Sequence, residues 1–410
     1  FIIFFQKFKS GLSTFKFLKK NNKIYLYDDN KINKKNLNIS KYIINYKNLI
    51  KENFDYIIIS PGINIENCEL KEFLKNNLKK INTDLDIFFD MYGNNRNITI
   101  TGTNGKSTTA KIIYEVLRQQ KFDVRLVGNI GNPILLEKNV MKKTVFVVEA
   151  SSYQLDYSKI FRANIAAILN ISPDHLERHG TLKKYIGAKF KLVKNQKKKD
   201  YAILNTNNSY IKKNMLNKIF LQKIIKVKRE LSPLVLKKIN NPYFVTEGNK
   251  ENLLFVVEIA KIYKIKNKNL FEVLNKFKGL KYRQEIIFKS KYLTIINDSK
   301  ATSFSSSVSI LKSMSNVLWI VGGLAKKKDR FLLSKNNCKK FKAYIFGKNK
   351  NFFISELKDI VKYEAFSNLK ILIKKVFSDI EKNKNQKHNT ILFSPAAASF
   401  DNFKNFEERG

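Results

Sequence analysis

Hydrophobic residues recur along this chain in short apolar runs, and amphipathic stretches separate many of these runs. Runs of this length are typical of buried strands, and amphipathic stretches at helical spacing are typical of helices. Helical patterns cover residues 10–20 and 106–120. Strands are predicted at residues 1–5, 23–27, 56–60, 97–100, 145–148, 165–169, 202–204, 293–296, 317–321, 343–346 and 390–393. This alternation predicts an α/β fold with three mostly parallel sheets, whose ligands bind beyond the carboxyl ends of the strands.

The composition is typical of a soluble globular chain of two or three domains. Hydrophobic residues make up 43% of the 410 residues. Apolar runs such as 317–321 are nevertheless far shorter than the ~20 residues of a membrane-spanning helix. The first five residues show no basic region and no small-residue cleavage site, so they predict a strand and not a signal peptide. Cys68 and Cys338 are the only cysteines, which excludes a disulfide framework and fits a reducing cytoplasm.

The formal net charge is +44, because 78 Lys and Arg residues outnumber 34 Asp and Glu residues. A charge of this size usually indicates a nucleic acid or an anionic membrane as partner. Only nine of the basic residues are Arg, however, and the forked Arg guanidinium is the group that suits phosphate and base recognition. The lysines are spread among many Asn, Ile and Phe residues, all of which have A/T-rich codons. We therefore attribute the charge to genomic base composition and expect no nucleic-acid or membrane partner.

The sharpest motif is the stretch 101–108, which reads Thr-Gly-Thr-Asn-Gly-Lys-Ser-Thr. A predicted strand precedes it and an amphipathic helix follows it, which is the context of a phosphate-binding loop. Backbone N–H groups at the start of such a helix bind phosphate oxygens, Lys106 neutralises their charge, and the Ser107 hydroxyl can ligate Mg²⁺. The spacing departs from the standard loop, because Ile100 stands where that loop has its first Gly. An ordinary Gly turn is the alternative.

Two further residues of the same stretch are candidates for ligand binding. Glu149 ends the next predicted strand, a position suited to a ligand of the Mg²⁺ that bridges the phosphates. His175 follows the strand at 165–169 and could ligate a metal or contact substrate. The alternative, that it has no role in ligand binding, stays open. His179 and His388 are predicted to be exposed to solvent.

Lys189 falls on the apolar face of a helical pattern that covers residues 182–193. A lysine on an inward face needs an anion or a covalent modification. The alternative is that its aliphatic stem packs on the apolar face while the ammonium reaches solvent.

Three polar loops follow successive strands of the third stretch, at residues 297–303, 322–326 and 394–399. They contain hydroxyl groups and lysines, and helices begin nearby. Because the carboxyl ends of parallel strands meet at one edge of a sheet, these loops predict a site for an anionic small molecule.

Together these motifs resemble those of the Mur ligase family over nearly the whole chain. The phosphate loop alone would also fit folylpolyglutamate synthases. The closing residues 394–410 and the sequence Asp-Ser-Lys-Ala-Thr at 298–302 favour the member that adds D-glutamate. The resemblance is carried by residues 60–63, 101–108, 128–131, 149–155, 174–178, 298–302, 322–326 and 394–410.

The resemblance implies three domains: a Rossmann-like domain at 1–87 that binds the UDP-substrate, a P-loop ATPase-like domain at 88–282 that binds ATP, and a Rossmann-like domain at 283–410 that binds the amino acid. It implies that D-glutamate is added to UDP-N-acetylmuramoyl-L-alanine at the expense of ATP, through an acyl phosphate, in cytoplasmic peptidoglycan precursor synthesis. These small molecules are the expected partners, and a monomer is expected.

The resemblance also implies the roles of individual residues. Catalysis would involve Lys106, His175 and Lys189. ATP would contact Gly102, Thr103, Asn104, Gly105, Lys106, Ser107, Thr108, Asn249, Asn252, Arg283, Asp298 and Lys300. The nucleotide sugar would contact Ser10, Asp28, Asn129, Ser151 and Gln154, and D-glutamate would contact Thr302, Lys326, Ser399 and Phe406. Of two Mg²⁺ ions, one would be held by Ser107 and Glu149, and the other by His175 and a carbamylated Lys189.

The chain departs from the family pattern in three places. The Gly-x-Gly loop expected after the first strand is replaced by residues 5–11, in which Gly11 alone remains. Residues 281–282 are Lys-Tyr where the family has Pro-His. The chain begins without Met and stops at Gly410, so we expect a fragment that is short of a final helix. The alternatives are a related ligase of the Mur or folylpolyglutamate type, a degenerate homologue without activity, and an ATPase acting on nucleic acid.

Overall fold

The computed structural model of the protein describes residues 2–4, 9–28, 39–216, 219–227, 230–326, 329–382 and 388–410. These residues form an α/β fold with three sheets, as the sequence predicts. Every helix within these ranges is too short or too polar to cross a bilayer.

The strands are short and lie mostly in the predicted places. They are β1 Ile2–Phe4, β2 Tyr25–Tyr27, β3 Ile57–Ile59, β4 Ile81–Asn82, β5 Asn97–Thr101, β6 Val124–Gly128, β7 Val145–Glu149, β8 Ile165–Ile168, β9 Tyr201–Leu204, β10 Lys223–Lys226, β11 Glu285–Lys289, β12 Leu293–Asn297, β13 Val317–Gly322, β14 Phe341–Phe346, β15 Lys362–Ala365 and β16 Asn389–Phe393.

The helices that connect the strands vary from single turns to several turns. They are α1 Lys9–Leu18, α2 Tyr46–Leu49, α3 Lys71–Asn76, α4 Asp84–Tyr92, α5 Lys106–Gln119, α6 Ser152–Tyr157, α7 Leu176–His179, α8 Leu182–Lys194, α9 Ser209–Met215, α10 Pro233–Leu236, α11 Glu247–Ile262, α12 Asn267–Lys276, α13 Phe304–Leu311, α14 Lys335–Cys338, α15 Lys350–Leu357, α16 Leu369–Lys382 and α17 Phe406–Arg409.

The first two sheets are entirely parallel in the described residues. The first has the order β2-β1-β3-β4, and the second has the order β10-β9-β8-β5-β7-β6. All five residues of β5 are buried, because β5 lies in the interior of its sheet between β7 and β8. One hydrophobic core contains Ile3 and Ile58 of the first sheet together with Phe146 and Val148 of the second. The strand that leads into the phosphate loop is therefore held firmly on both sides.

The third sheet has the order β11-β12-β16-β13-β14-β15. Its strands are parallel except β11, which pairs antiparallel with β12. Trp319 and Val321 point into the core on one face, and Ile320 points into the core on the other face. Alternation of buried side chains on both faces is expected for a sheet that helices cover on both sides.

Packing divides the chain into two compact units. The first comprises residues 1–171, 178–229 and 254–270, and it contains the first two sheets. The second comprises residues 172–177, 230–253 and 271–410, and it contains the third sheet.

The predicted domains 1–87, 88–282 and 283–410 each enclose one of the three sheets. Helix α4 crosses the first of the predicted boundaries. The boundaries themselves stay a prediction.

Candidate functional site

The phosphate loop lies between β5 and α5, as predicted. Gly105 precedes the helix with a φ of 83°, which is a left-handed conformation that glycine adopts without strain. Asn170, just after β8, fixes the loop: its Oδ1 accepts the Asn104 N–H at 2.9 Å, and its carbonyl accepts the Thr103 N–H at 2.9 Å. The loop is thus anchored to a neighbouring strand by a residue that the sequence analysis did not single out.

The Lys106 ammonium folds back over this loop. Its Nζ donates hydrogen bonds to the carbonyl oxygens of Gly102 and Thr103, each at 2.8 Å. The ammonium therefore lies against the backbone of the loop, where a phosphate would need its charge neutralised.

Ser107 and Glu149 make direct contact. The Ser107 hydroxyl donates to Oε2 of Glu149 at 2.6 Å, and Asn129 Nδ2 donates to Oε1 at 3.3 Å. Glu149 is 1% exposed at the end of β7, which pairs with β5. A hydroxyl and a carboxylate in contact at the start of a helix supply oxygen ligands of the kind that Mg²⁺ takes together with phosphate. These two residues therefore fit a Mg²⁺ site.

Lys189 is buried, with 1% of its surface exposed, so the prediction of an inward lysine is confirmed and that of an ammonium in solvent is wrong. Its Nζ donates to the carbonyl oxygen of Gly102 at 2.8 Å and lies 4.6 Å from the centroid of the Tyr185 ring. The Tyr185 hydroxyl is in turn 2.9 Å from Oγ1 of Thr103. Lys189 thus contacts the same loop carbonyl as Lys106.

Ser151 and Gln154 form a reciprocal cap at the start of α6. The Gln154 backbone N–H donates to Ser151 Oγ at 3.2 Å, and Gln154 Oε1 accepts the Ser151 N–H at 3.1 Å. Of the residues predicted for the nucleotide sugar, Asn129 follows β6, and Ser151 and Gln154 lie at the start of α6, which follows the neighbouring strand β7 in the first unit.

The other two residues predicted for the nucleotide sugar lie in the first sheet. Ser10 is in the first turn of α1, and Asp28 follows β2 directly. Residues 5–8 of the altered first loop lie outside the described residues.

Most of the residues predicted for ATP outside the phosphate loop form one hydrogen-bond network in the second unit. Asn252 Nδ2 donates to Asn249 Oδ1 at 3.5 Å, and Asn249 Nδ2 donates to Gln284 Oε1 at 3.1 Å. The Gln284 backbone N–H donates to Asp298 Oδ1 at 3.1 Å. Gln284 connects the predicted residues, although no feature of the sequence pointed to it.

Asp298 is a buried carboxyl group with an altered acidity. Burial raises the pKa of Asp298 to about 7, while hydrogen bonds from Ser394 and the Gln284 backbone, and the charge of Arg283, act in the opposite direction. Ser394 donates to Oδ2 at 2.8 Å. Asp298 therefore changes its charge near neutral pH.

Lys300 and Phe406 are in contact, since the Lys300 Nζ lies 3.5 Å from the centroid of the Phe406 ring. The neighbouring Ser299 hydroxyl donates to the Phe406 carbonyl at 2.8 Å. Arg409 donates to the Ser299 carbonyl at 2.6 Å and to its hydroxyl at 3.2 Å. The closing residues are thus joined to the loop that follows β12.

The remaining residues predicted for D-glutamate also lie in the second unit. Thr302 follows β12, and Ser399, which is 3% exposed, follows β16. The Lys326 ammonium donates to Asp174 Oδ1 at 2.7 Å.

His175 lies beside this ion pair, in the segment 172–177 that packs with the second unit. Its φ of 55° is in the left-handed region, which is uncommon for a residue other than glycine. Its ring nitrogens are 3.4 Å from Asp174 Oδ2 and 3.6 Å from Glu177 Oε1. Within the described residues, no group of three or more His, Cys, Asp or Glu side chains is placed to hold a metal ion.

The prediction that His179 is exposed is wrong. His179 is 4% exposed, its Nε2 is 3.0 Å from the Ser152 hydroxyl, and its ring packs against Tyr153 and Tyr185. Helix α7 has only four residues, which is too short for a hydrophobic period to show which side faces inward. The prediction that His388 is exposed is confirmed.

Comparison with known proteins gives consistent sequence matches. The Mur ligase middle domain matches residues 100–261. The chain is 33% identical over 426 residues to the UDP-N-acetylmuramoylalanine–D-glutamate ligase of Rickettsia bellii (strain RML369-C), with 98% of this chain and 94% of the relative covered. It is 30% identical over 433 residues to the ligase of the same name from Clostridioides difficile (strain 630), with the same two coverages.

Solved structures with a similar fold include MurF of Acinetobacter baumannii, with a TM-score of 0.59, 16% identity and 76% of each chain covered. A pseudomurein peptide ligase type C from Methanothermus fervidus has a TM-score of 0.53 and 18% identity, with 96% of each chain covered. At these identities the likeness shows a shared fold and nothing more.

Proposed function

The chain belongs to the family of UDP-N-acetylmuramoylalanine–D-glutamate ligases, and we propose on this premise that its phosphate loop activates a carboxylate with ATP while its third sheet binds D-glutamate. The protein is an ATP-dependent ligase that forms an amide bond by adding D-glutamate in peptidoglycan precursor synthesis. The observation that carries the proposal is the phosphate loop with Lys106 folded over it and with Ser107 in contact with Glu149.

The proposed reaction has two steps. A carboxylate oxygen of UDP-N-acetylmuramoyl-L-alanine attacks the γ-phosphorus of ATP, the bond to ADP breaks, and an acyl phosphate forms. The neutral amine of D-glutamate then attacks the acyl carbon, loses a proton, and phosphate leaves. Because the first step brings a carboxylate to a polyanion, it needs positive charge placed in advance. Lys106 supplies that charge at the loop, and the N–H groups at the start of α5 hold the phosphate oxygens.

Ser107 and Glu149 would hold one Mg²⁺, which would offset the negative charge of the phosphates. A second Mg²⁺ would take His175 and a carbamylated Lys189 as ligands. A carbamate forms when the neutral lysine amine attacks CO₂, an N–C bond forms and a proton is lost. The buried position of Lys189 against the Gly102 carbonyl supports this assignment, because an anionic carbamate converts an inward lysine into an oxygen ligand.

The remaining residues have the roles that the resemblance to the Mur ligases implies. Asn249, Asn252, Arg283, Asp298 and Lys300 would contact ATP. Thr302, Lys326, Ser399 and Phe406 would bind D-glutamate, with the Lys326 ammonium facing a carboxylate of that substrate. Ser10, Asp28, Asn129, Ser151 and Gln154 would contact the nucleotide sugar. We further propose that the protein acts as a monomer in the cytoplasm on these small molecules alone.

The proposal is tested by phosphate release from Mg-ATP with UDP-N-acetylmuramoyl-L-alanine. Parallel reactions contain D-glutamate, L-glutamate, a diamino acid or no amino acid. We expect release that requires both the nucleotide sugar and D-glutamate. Release with a different amino acid would move the chain to a sister ligase, and no release under any condition would indicate a degenerate homologue.

The carbamate is tested separately with Lys189→Ala. We expect this variant to lose activity because a metal ligand is removed, and added short-chain carboxylate should restore part of it. The matched control is Lys183→Ala, since Lys183 is an exposed residue on the same helix. A second readout is a carbamate carbon signal in the protein labelled with ¹³C-bicarbonate, which should disappear in Lys189→Ala. An active Lys189→Ala variant would remove the carbamate from the mechanism.

A further inference from the structure

Asp84 is a buried carboxylate that connects two parts of the first unit. It is the first residue of α4 and is 7% exposed. With Gly11 and Thr14 of α1 and with Ser60 and Pro61 after β3, it lines a cavity of about 10 Å³. This cavity is at the carboxyl end of β3, the edge at which parallel sheets bind ligands. Asp84 therefore lies at the edge of the first sheet where the nucleotide sugar is proposed to bind.

The partner of Asp84 is the side chain of Gln154, which is proposed to contact the nucleotide sugar. Gln154 Nε2 donates to Oδ2 of Asp84 at 3.2 Å and to Oδ1 at 3.4 Å. The other end of the amide, Oε1, accepts the Ser151 N–H and the Ser151 hydroxyl at 3.1 and 3.0 Å. A flipped amide would set its NH₂ against the Ser151 N–H and its carbonyl against the carboxylate. Ser151 and Asp84 together therefore fix the orientation of the Gln154 side-chain amide.

The Asp84–Gln154 interaction joins a charged acceptor to an amide donor, and both residues are buried. Burial raises the pKa of Asp84 to about 6, and hydrogen bonds from Gln154 and the Leu85 backbone act in the opposite direction. The carboxyl group is thus mostly ionised above neutral pH. Hydrogen bonds to an ionised group are stronger than those between neutral groups, so Asp84 holds the Gln154 amide more firmly than a neutral residue would.

Asp86 lies in the same turn, and its hydrogen bonds are those of a carboxylate with a structural role. It is 0% exposed, and its Oδ1 accepts the Ser158 hydroxyl at 2.8 Å and the backbone N–H groups of residues 159, 160 and 161 at 3.0, 3.0 and 3.2 Å. Its Oδ2 accepts the Thr83 N–H at 3.0 Å. Asp86 therefore fastens a chain segment, whereas Asp84 orients a side chain.

We propose that Asp84 is a positioning residue for the nucleotide-sugar substrate, because it fixes the orientation of the Gln154 amide that is proposed to contact that substrate. The inference rests on the proposed function, since it assumes that Gln154 contacts the nucleotide sugar. Asp84 acts through Gln154 and not on the reacting atoms. Its removal should therefore weaken binding of one substrate and leave the other two unaffected.

The test compares Asp84→Ala, Asp84→Asn and Asp86→Asn in the full chain. For each variant the KM values of the three substrates, the Kd of UDP-N-acetylmuramoyl-L-alanine by calorimetry, and the Tm are measured. We expect Asp84→Ala to raise the Kd and KM of the nucleotide sugar about 10-fold and to leave the KM values of ATP and D-glutamate within about 2-fold. Asp84→Asn keeps an acceptor for Gln154, so we expect a smaller rise.

Asp86→Asn is the control for structural damage and should lower the Tm without favouring one substrate. A Gln154→Ala background adds a further check, because removing Asp84 there should change the Kd little. The inference is overturned if Asp84→Ala lowers the Tm with all Kd and KM values unchanged, or if it raises all three KM values alike. If Asp84→Ala does not fold, Asp84→Asn decides by the same criteria. Absence of nucleotide-sugar binding by the wild-type protein would instead overturn the proposed function, and the inference with it.

Discussion

The phosphate-loop region and the region around Asp298 are built in different ways. In the first region, Lys106 bonds to Gly102 and Thr103, which are four and three residues away, within one strand–loop–helix segment. In the second region, Ser299 bonds to Phe406 and to Arg409, more than a hundred residues along the chain. The contacts of Lys106 are therefore set by local sequence, whereas those of Ser299 exist only when distant segments pack together.

In the second region, burial also affects the acidity of several charged groups. In the second region, burial raises the pKa of Asp298 to about 7 and that of Asp329 to about 6, and it lowers the pKa of Arg409 to about 10. Charges assembled by long-range packing are thus taken out of water, which disfavours their ionised forms. We expect the phosphate loop to respond to mutation mainly in turnover, and the second region to respond in substrate binding, stability and pH dependence.

The largest effect is expected for Lys106→Ala. Loss of a positive charge aimed at the transferring phosphate should lower kcat by roughly 10²–10³-fold, with little change in Tm because the loop keeps its backbone anchors. Lys111→Ala is the matched control, since Lys111 lies on the same helix and pairs with Glu115 at 3.2 Å. Steady-state phosphate release and thermal unfolding measure both quantities. A large fall in Tm for Lys106→Ala would contradict the expectation that mutations in the phosphate loop change mainly turnover.

A smaller and more selective effect is expected for Lys326→Ala. If its ammonium binds a carboxylate of D-glutamate, its loss should raise the KM of D-glutamate by roughly 10–100-fold and leave the KM of ATP nearly unchanged. The control is Lys335→Ala at an exposed position of α14. Equal rises in the two KM values would show that Lys326 supports the fold of the region and does not select the amino acid.

The third effect concerns stability rather than turnover or binding, and it is expected in the pH dependence of stability for Asp298→Asn. The pKa of Asp298 is about 7 in the folded protein against an ordinary 3.8, so its contribution to stability is fully present below about pH 4 and is lost as the pH rises through 7. Between pH 5 and pH 8 the wild-type protein should lose on the order of 1–3 kcal/mol more unfolding free energy than Asp298→Asn. Urea unfolding at both pH values measures this difference.

Asp359→Asn, at an exposed position, is the control for a general effect of removing one carboxylate. Its stability should follow the wild-type pH profile. If the Asp298→Asn profile also runs parallel to that of the wild-type protein, Asp298 does not titrate in the way its burial implies.

The fold was predicted well in the sheet interiors and less well at their edges. Strands β4, β6, β10, β11 and β15 were not predicted from the sequence, and each of them lies at an edge of its sheet. Edge strands are covered on fewer sides, so their sequences need fewer apolar residues, and the side chains of β10 and β15 are largely exposed or half-buried. The antiparallel direction of β11 had no sequence signal either, because a strand pattern does not reveal the direction of pairing.

The candidate site also contains residues that the sequence predicts and residues that it does not. Lys106, Ser107 and Glu149 were predicted from motifs next to strands, where the order of the chain already determines which groups meet. Asn170 and Gln284 were missed, because an isolated amide carries no pattern until another segment is packed against it.

By itself the sequence determined the α/β class, the three sheets, the phosphate loop and the family, because each depends on local patterns or motifs that neighbouring residues complete. Only the tertiary structure decided that His179 is buried, that Lys189 reaches the Gly102 carbonyl, and that Asp84 meets Gln154. Burial and partnership are properties of packed segments, and residues separated by tens of positions in the chain acquire them only when hydrophobic packing brings their elements together.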